Sequence, residues 1–572
     1  MKALTSVAAV SAFLAATVAG KSYHCPPLGQ TLPAPKNPSA SGAIETAVQR
    51  ATELFQDYVQ RYNNTAASLT VKSIHEDDYL LNLHHTPETR DERGTAEVSC
   101  KTVYRVGSVS KLFAPLAILR EAGVNIHDPI TKYLPELKDL ENQQEENNAL
   151  TTISWDDVTL LSLASHMGGF ASEMAQDIGN FGLDETPLGL PTLEQDDIPG
   201  CSGLGGNLLA KYGKHRPAWA PFTTPMYSNV AFSFLSFVIE QVTNKTFDEH
   251  VQESIFTPLG MDSTTSGAKP EDDASGFIPA EDPWWFLNLG VFNPAGGFFS
   301  NTEDLVKLGE GILNHDVLSA VETRKWMKPT EHTASLGVSV GAPWEIFRTK
   351  NLTTDGRIID VYSKTGDLGP YHAIFALVPD YDLVFTLLTG GPEASNNDVV
   401  FGTAQLMQIL LPALDLAAKE EAAKSLIGEY VDEETNSTIT LSVDDGPGLA
   451  VSNWVSRGVD VVESYGTLLG IGEPVKLGAD VTVRLYNTGL SADNQSGWRA
   501  VLHIGAAEDF LAVDETMSFI PQVTCQTWFM FERTTYGFNS LDDFVFTVGE
   551  DGTVEEVTSR FYRTTMTLAS RE

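Results

Sequence analysis

Ser108 and Lys111 lie three residues apart in the segment YRVGSVSKLFAPLAILREAG, and their side-chain types suit nucleophilic catalysis. In a helix that begins at Ser108, this spacing places both side chains on one face, one turn apart. A serine hydroxyl is a poor nucleophile until a base takes its proton and a positive charge holds the alkoxide. A lysine ammonium and the positive end of the helix could each do part of this. Taken alone the motif is weak, because a serine cap followed by a surface lysine has the same pattern.

Two further segments supply matching groups later in the chain. The tripeptide Tyr227–Asn229 (YSN) precedes a long apolar run, and Lys364–Gly366 (KTG) lies in a strand-like stretch. A phenol beside two ammonium groups has a lowered pKa and can serve as a general base. The glycine lets a substrate lie against the strand edge. Apart, Tyr227 is typical of a core aromatic and Lys364 of a surface charge, but together the three motifs match the set of the penicillin-recognising serine enzymes.

The chain therefore resembles the serine β-lactamase and penicillin-binding-protein family over about residues 68–411. It is most similar to the class C β-lactamases, the related esterases and the secreted β-lactamase-related proteins of fungi. The segments that carry the resemblance occur in family order: GSVSKLF, VNIHDPITKYLPEL, VTLLSLASHMGGF, MYSNVAFSFLSFVIEQVT, IFTPLGMDST, NPAGGFFSNTEDLVKLG and SKTGDLG.

The resemblance implies a β-lactamase/transpeptidase-like fold, in which an all-helical lobe lies beside an antiparallel sheet of five or more strands, with the site between them. It implies that Ser108 is the acylated nucleophile, Lys111 its activating partner and Tyr227 the general base. Asn229 would bind a substrate amide, and Lys364 would anchor a substrate carboxylate and Tyr227. The residues implied for substrate binding and the oxyanion hole are Asn229, Lys364, Thr365, Gly366 and Asp367, the last through its backbone N–H together with that of Ser108.

Three departures from the family pattern qualify these assignments. Pro115 follows the nucleophile by seven residues and is expected to bend or unpair its helix. The Thr-Ser-Gly that usually follows the family's helix histidine is Met167–Gly169 here, so His166 is interpreted as a structural residue that holds a turn. The intact lysine of the KTG motif favours a substrate with a carboxylate, whereas the neighbouring Asp367 argues against one.

Two other kinds of site are disfavoured. Gly337–Gly341 matches G-x-S-x-G, the nucleophile elbow of α/β-hydrolases, but that motif needs a helix after it. Ala342-Pro343-Trp344 follows instead, so Ser339 is predicted to lie in a strand or turn and not to act as a nucleophile. The histidines are scattered without an H-E-x-x-H motif, and His84-His85 is interpreted as a surface pair. Neither a metal nor a cofactor is expected.

The first twenty residues have the pattern of a secretory signal peptide. Lys2 supplies a positive start, Val7–Ala19 is almost wholly apolar, and Val18-Ala19-Gly20 gives small residues at a cleavage site. This run is shorter than the about 20 residues that a membrane anchor needs, and no later stretch is expected to be long enough. We therefore expect a secreted, extracellular protein.

Cysteines and glycosylation sequons agree with secretion. Four cysteines in an exported chain favour two disulfides, with all three pairings left open. Five Asn-x-Ser/Thr sequons favour glycosylation, although each is individually weak. The cysteines are Cys25, Cys100, Cys201 and Cys525, and the sequon asparagines are Asn63, Asn244, Asn351, Asn436 and Asn494.

Composition and charge narrow the class of protein. Hydrophobic residues make up 42% of the 572 residues, which excludes disordered and collagen-like chains. Lys and Arg total 37 against 76 Asp and Glu, so the formal net charge is −39. A surface this acidic repels phosphate backbones and anionic lipid, so neither nucleic acid nor a membrane is expected as a partner.

Periodicity divides the chain into two folded regions. Residues 43–61 have helical spacing, SLTVKSIH alternates like a strand, and such elements alternate up to about residue 415, an α/β or α+β pattern. Residues 403–424 are predicted to form a helix with a break or kink at Pro412. Short alternating segments and a hairpin around Asp551-Gly552 then indicate a β-rich domain. We predict a signal peptide at 1–20, a hydrolase domain at 21–415 and a small β-rich domain at 416–572.

Residues and resemblance together favour a secreted serine hydrolase that cleaves an amide, lactam or ester through an acyl-enzyme at Ser108. Its partner would be a small-molecule or peptide substrate, and the aperiodic stretch Gly169–Thr224 is expected to form a pocket wall. An acyltransferase that uses the same acyl-enzyme stays an alternative, because no motif reports whether water or another acceptor completes the reaction. A non-catalytic binding relative is disfavoured, because the nucleophile, both lysines and Tyr227 are all present.

Overall fold

The computed structural model describes residues 23–142, 148–170, 178–183, 186–194, 208–209, 215–350, 352–468, 481–517, 519–520 and 522–571. The chain divides into two compact units, and each is described by itself. The larger unit comprises Ala34–Leu352 and Ile358–Ala417, and the smaller comprises Met1–Pro33, Thr353–Arg357 and Ala418–Glu572. The predicted domain boundaries after residues 20 and 415 stay predictions.

Strands in the described part of the larger unit form one antiparallel sheet and one short ribbon. They are β1 (Ala66–Ser73), β2 (Leu81–His85), β3 (Tyr104–Arg105), β4 (Phe299–Ser300), β5 (Glu331–His332), β6 (Val338–Val340), β7 (Glu345–Thr349), β8 (Ile359–Leu368), β9 (Tyr371–Val378) and β10 (Leu383–Gly390). The sheet has the order β2-β1-β10-β9-β8-β7-β6-β5, and each strand is antiparallel to its neighbour. Strands β3 and β4 pair in the ribbon.

Helices cover both faces of this sheet. Those in the described residues are α1 (Gly42–Val59), α2 (Phe113–Arg120), α3 (Glu136–Asn142), α4 (Leu160–Ala164), α5 (Val230–Thr243), α6 (Phe247–Val251), α7 (Thr257–Leu259), α8 (Asn293–Gly296), α9 (Thr302–Leu313), α10 (Ala320–Trp326) and α11 (Asn396–Ser425), of which residues 396–417 belong to this unit. Side chains of β9 alternate between two apolar clusters, as the period of a strand requires. Ala373, Phe375 and Leu377 join the cluster with α2 and α5, and Ile374, Ala376 and Val378 join the cluster with α1 and α11. The predicted mixed fold, an antiparallel sheet with a helical lobe, is confirmed.

Helix α1 and strand β1 confirm two local predictions. The Ser41 side chain accepts a hydrogen bond from the N–H of Ala43 and caps α1, and Ile44, Ala51 and Phe55 form part of its buried stripe. Every residue of β1 is buried, because neighbouring strands flank it on both edges and helices cover its faces.

Helix α11 differs from its prediction in two ways. The helix runs unbroken through Pro412, so of the predicted break or kink the break was wrong and the kink stays a prediction. Leu410, Leu411 and Leu414 are fully buried in the apolar cluster around the proline, and this packing offsets the hydrogen bond that proline cannot donate. By length and composition the helix could also cross a membrane, because it has 30 residues and a mean hydropathy of 1.5 in its most apolar window. Inside the protein, 56% of that window is buried. The expectation that no later stretch reaches this length was therefore wrong.

The smaller unit is built on an antiparallel β-barrel, which confirms the predicted β-rich C-terminal region. Eight strands close on one another in the order β11-β12-β13-β15-β16-β19-β20-β21, and β21 pairs back to β11. The predicted hairpin around Asp551-Gly552 joins β19 to β20. The elements in the described residues are β11 (Gly428–Asp432), β12 (Ser437–Ser442), β13 (Leu449–Ser456), β14 (Val459–Asp460), α12 (Val461–Leu468), β15 (Val481–Ala492), β16 (Gln495–Ile504), α13 (Ala507–Thr516), β17 (Thr535–Tyr536), β18 (Asn539–Ser540), β19 (Asp543–Val548), β20 (Val554–Ser559) and β21 (Thr564–Ser570).

One disulfide is present among the described cysteines. Cys25, in the N-terminal segment of the smaller unit, is bonded to Cys525. Cys100 carries a free thiol, and Cys201 lies outside the described residues. The prediction of two disulfides was therefore wrong as far as it included Cys100.

Candidate active site

Ser108 lies on a 3-10 turn, Gly107–Leu112, that follows strand β3. Gly107 has a φ of +49°, and a Cβ atom built on it would lie 2.6 Å from the backbone nitrogen of Asp367. A Cβ atom on Gly366 would lie 3.1 Å from the backbone nitrogen of Ser108. These two glycines let the end of β8 pack directly on the turn, and they bring the backbone N–H groups of Ser108 and Asp367 close together.

Pro115 does not disturb the helix that follows the nucleophile. The 3-10 turn becomes α2 at Phe113, so Pro115 is the third residue of the α-helix. Proline is tolerated in the first turn, where backbone N–H groups lack the usual intrahelical partner. The prediction that Pro115 bends or unpairs the helix assumed an α-helix that begins at Ser108, whereas the α-helix begins at Phe113.

Lys111 is completely buried next to the nucleophile. Its Nζ donates to Ser108 Oγ at 3.0 Å, to the carbonyl oxygen of Ala295 at 2.5 Å and to Oδ1 of Asn229. A carbonyl oxygen and an amide oxygen can only accept hydrogen bonds, so both take N–H groups of Lys111 and hold its Nζ beside Ser108 Oγ. Lys111 can therefore stabilise the alkoxide as an ammonium or receive the serine proton as a neutral amine.

Tyr227 brings a phenol to Ser108 from the segment that leads into α5. Ser108 contributes to lowering the pKa of this phenol. The Nζ atoms of Lys111 and Lys364 lie 4.9 Å and 5.3 Å from the centre of its ring. Burial alone would raise the pKa of the phenol, but the charges of the two lysines outweigh that effect and lower the pKa below its ordinary value of 10.0, against a smaller opposite effect of Glu345. A phenol with a lowered pKa suits a general base.

His166 is packed against Tyr227 and holds the segment that carries it. The two rings stack with centroids 4.3 Å apart. His166 Nδ1 accepts the N–H of Ser228 at 3.1 Å, and its carbonyl oxygen accepts the N–H of Met226 at 2.8 Å. Burial and the charges of two nearby lysines lower the pKa of the imidazole well below its ordinary value, so the ring is neutral. These contacts agree with the structural role that the sequence indicates for His166.

Lys364 is completely buried, and its charge is balanced by Glu345, a residue that the sequence analysis missed. The Lys364 Nζ pairs with Glu345 Oε1, donates to the carbonyl oxygen of Thr365 at 3.0 Å and lies 5.3 Å from the centre of the Tyr227 ring. The second oxygen of Glu345 accepts the N–H of Thr365 at 2.8 Å. Burial lowers the pKa of Lys364, but Glu345 and Tyr227 raise it by more, so the group is an ammonium.

The signal that could have revealed Glu345 is the register of the sheet. Glu345 begins β7 and lies directly opposite Ser363 of β8, one residue before Lys364. Register depends on both strands and the turn between them, and it cannot be read from the KTG motif alone.

The carboxylate of Asp367 is directed away from the buried lysines. Its side chain is 60% exposed, and its Oδ1 lies 2.7 Å from Nδ1 of His372, the register partner on β9. Asp367 therefore presents its backbone N–H near Ser108 and a negative charge at the surface of the same strand end.

The alternative nucleophile Ser339 has the environment predicted for it. Ser339 lies within β6, and its Oγ is 3.1 Å from Nδ1 of His332 on the adjacent strand. Residues 341–344 form a turn with a cis peptide bond before Pro343 and lead into β7, so the described chain after Ser339 lacks the helix that a nucleophile elbow needs.

Other predicted features have mixed outcomes. His84 and His85 are half-buried on β2, the edge strand of the sheet. Within the described ranges, no group of three or more His, Cys, Asp or Glu side chains could hold a metal ion.

The described sequon asparagines are exposed, namely Asn63, Asn244, Asn436 and Asn494, whereas Asn351 lies outside the described residues. The stretch Gly169–Thr224, predicted as a pocket wall, is described only in part.

Two family models match the chain. The model described as "Beta-lactamase" matches residues 52–401, which include every predicted catalytic and substrate-binding residue. The model described as "Beta-lactamase-like-like, C-terminal domain" matches residues 418–570, the barrel region.

Individual proteins are also similar to this chain. A "Beta-lactamase-like protein" of Arthroderma benhamiae is 29% identical, with 94% of this chain and 95% of that protein covered. A "Probable hydrolase M10" of Phoma sp. is 27% identical, with 77% and 73% covered. Among solved structures, a β-lactamase/D-alanine carboxypeptidase of Yersinia pestis is 17% identical with a TM-score of 0.49, and covers 65% of this chain and 100% of its own.

Proposed function

Because the chain belongs to the β-lactamase family, we propose that it is a serine hydrolase that cleaves an amide, lactam or ester through an acyl-enzyme on Ser108. The observation that carries the proposal is the position of Ser108 Oγ, which accepts a hydrogen bond of 3.0 Å from the buried Nζ of Lys111, while the same Nζ lies 4.9 Å from the centre of the Tyr227 ring. A hydroxyl between a cation and a phenol of lowered pKa has a base for its proton and a charge for its alkoxide.

In the proposed reaction, the phenolate of Tyr227 takes the Ser108 proton while Oγ attacks the carbonyl carbon of the substrate. The N–H groups of Ser108 and Asp367 stabilise the negative charge that develops on the carbonyl oxygen. The bond to the leaving group then breaks, and the leaving group receives the proton from Tyr227. A water molecule repeats these steps on the acyl-enzyme, which releases the acid and restores Ser108. Lys111 is the second candidate for the base, because it can occupy the same proton-accepting role.

The protein is also proposed to be secreted, with residues 1–20 removed and with N-glycans on the exposed sequons. The Cys25–Cys525 disulfide supports this, because disulfides persist mainly in oxidising compartments. Edman sequencing and mass spectrometry of protein from culture medium should give an N-terminus near Lys21. Retention of Met1 in that material would contradict the proposal.

Covalent labelling tests the nucleophile directly. The wild type should gain the mass of one phosphonyl group from a fluorophosphonate probe, and the modified peptide should contain Ser108. Ser108→Ala should abolish the label, and Ser339→Ala, which removes the hydroxyl of the G-x-S-x-G motif, should keep it. Labelling that survives Ser108→Ala and is lost in Ser339→Ala would reverse the assignment.

A further inference from the structure

The ammonium of Lys364 is already bonded within the protein. Its Nζ pairs with Glu345 and donates to the carbonyl oxygen of Thr365. It also lies 5.3 Å from the centre of the Tyr227 ring. The Lys364 side chain is only 1% exposed, so solvent and substrate do not reach it. A carboxylate on a substrate would therefore not form the direct ion pair that the intact KTG motif favours.

Two carboxylates of the protein lie at the strand end that carries the KTG motif. Glu345 neutralises Lys364 and is 24% exposed at its side chain. Asp367 adds a carboxylate that is 60% exposed, three residues after Lys364 and on the residue whose N–H lies near Ser108. Glu345 cancels the attraction of Lys364 for an anion, and Asp367 adds a negative charge at the same strand end. Both residues therefore disfavour anionic substrates.

One rim of the site is apolar and open. Trp219 and Phe222 lie shortly before Tyr227 and are 53% and 43% exposed. The N–H of Phe222 bonds to the carbonyl oxygen of Met167, the residue after His166, which ties this rim to the ring stacked on Tyr227.

The approach to the nucleophile turn is apolar from a second segment. Phe286 and Leu287 are 40% and 41% exposed. The carbonyl oxygen of Leu287 accepts a hydrogen bond of 2.6 Å from Arg105, three residues before Ser108. Phe286 lies under the guanidinium of Arg93 at 4.4 Å, whereas Trp219, Phe222 and Leu287 are exposed. Exposed apolar side chains favour a ligand whose apolar groups cover them.

We propose that the substrate is an uncharged ester or amide with apolar groups beside the scissile carbonyl, and that Glu345 and Asp367 exclude carboxylate-bearing analogues. This inference rests on the hydrolase function proposed above. Glu345 is then a specificity-determining residue. It forms an ion pair with the lysine that would otherwise attract an anion, and Lys364 remains beside the phenol of Tyr227.

Two hexanoate esters of matched shape test the charge preference. One carries 3-hydroxybenzamide as leaving group and the other carries 3-hydroxybenzoate, so they differ by one negative charge. We expect the wild type to give a kcat/KM at least about tenfold higher for the neutral ester. Asp367→Asn and Glu345→Gln should each reduce that ratio severalfold, and the exposed Glu53→Gln on α1 should leave it unchanged. Asp367→Asn keeps the test valid if Glu345→Gln does not fold, because Asp367 is mostly exposed.

Five outcomes decide the proposal. Preference for the neutral ester that falls in both charge variants supports it. Equal or faster turnover of the carboxylate ester by the wild type overturns it, and so does a ratio that neither variant changes. Equal kcat/KM for the acetate and hexanoate esters of 3-hydroxybenzamide would overturn its apolar part. Turnover of none of these esters, with no fluorophosphonate label on Ser108, would instead refute the hydrolase function.

Discussion

The imidazole of His166 stacks on the phenol ring of Tyr227, with centroids 4.3 Å apart and an interplanar angle of 25°. His166 also binds the backbone on both sides of that tyrosine, through Met226 and Ser228. Because the imidazole is neutral, it fixes the ring without adding a third positive charge beside the phenol. His166 is thus a positioning residue for the proposed base.

Replacement of this ring should slow the reaction by misplacing Tyr227. Asparagine tolerates the left-handed backbone of His166, whose φ is +62°, but cannot stack on the phenol. We expect His166→Asn to lower kcat by about 10²-fold, since misplaced groups cost that order, and to change KM little. Steady-state kinetics on a neutral ester would measure this. If His166→Asn lowers the thermal midpoint of unfolding but keeps the wild-type kcat at temperatures where it is folded, His166 has a merely structural role.

Loss of the phenol oxygen should affect turnover far more than binding. Tyr227→Phe keeps the ring stack and removes only the group proposed to move the proton, so kcat should fall by about 10²–10⁴-fold with KM nearly unchanged. Tyr79→Phe, on the loop between β1 and β2, is the matched control and should retain full activity. A Tyr227→Phe enzyme within about threefold of wild type would mean that another group, Lys111 first, is the base.

The pH dependence of activity should follow the charges around Tyr227. If the phenolate is the active base, kcat/KM rises with pH through a pKa below 10.0, because Lys111 and Lys364 outweigh burial. Glu345 raises that pKa, so Glu345→Gln should shift the rise to lower pH. Lys364→Met removes a charge that lowers it, so the rise should move to higher pH. Profiles of kcat/KM for a neutral ester would measure both, and shifts in the same direction for the two variants would contradict the assignment.

Local sequence patterns predicted much of this fold because they depend on neighbours in the chain. The apolar spacing of residues 43–61 gives α1, and the alternation of SLTVKSIH gives β1. The three motifs predicted a site at which Ser108, Lys111, Tyr227 and Lys364 meet, and the structure brings these four side chains together.

Features that depend on tertiary context were missed. Glu345 reaches Lys364 only through the pairing of β7 with β8. Pro412 stays within α11 because buried apolar neighbours outweigh its local cost. The nucleophile segment starts as a 3-10 turn at the close approach of β8 to Gly107, and this start places Pro115 in the first turn of α2.

The free thiol of Cys100 should be accessible to alkylation without reduction. Cys100 is half-buried, and its Sγ lies 3.9 Å from Glu303 Oε2. Peptide mapping after treatment with iodoacetamide in denaturant should find Cys100 alkylated, and Cys25 and Cys525 alkylated only after reduction. Recovery of Cys100 in a disulfide-linked peptide from the unreduced protein would contradict the structure.

Substitution of Gly107 should abolish activity through the oxyanion site while other glycines of the same conformation tolerate alanine. An alanine Cβ at Gly107 would lie 2.6 Å from the backbone nitrogen of Asp367, and backbone cannot move away as a flexible side chain can. Gly107→Ala must therefore separate the turn from the end of β8 and move apart the two N–H groups proposed to hold the oxyanion. We expect kcat to fall by about 10²-fold or more, as for loss of an oxyanion donor.

Gly260→Ala is the matched control for this substitution. Gly260 has a φ of +65°, close to the +49° of Gly107, but a Cβ atom there would meet nothing within 4 Å. Both variants carry the cost of a left-handed alanine, about 1 kcal/mol, and only Gly107→Ala adds the collision with Asp367. Urea unfolding should therefore show that Gly260→Ala loses about 1 kcal/mol of its free energy of unfolding, and kinetic assays should show that its kcat is unchanged. Gly107→Ala should lose activity at temperatures where it remains folded. Full activity in folded Gly107→Ala would show that the N–H groups of Ser108 and Asp367 need not lie together, and would remove the oxyanion hole from the proposed mechanism.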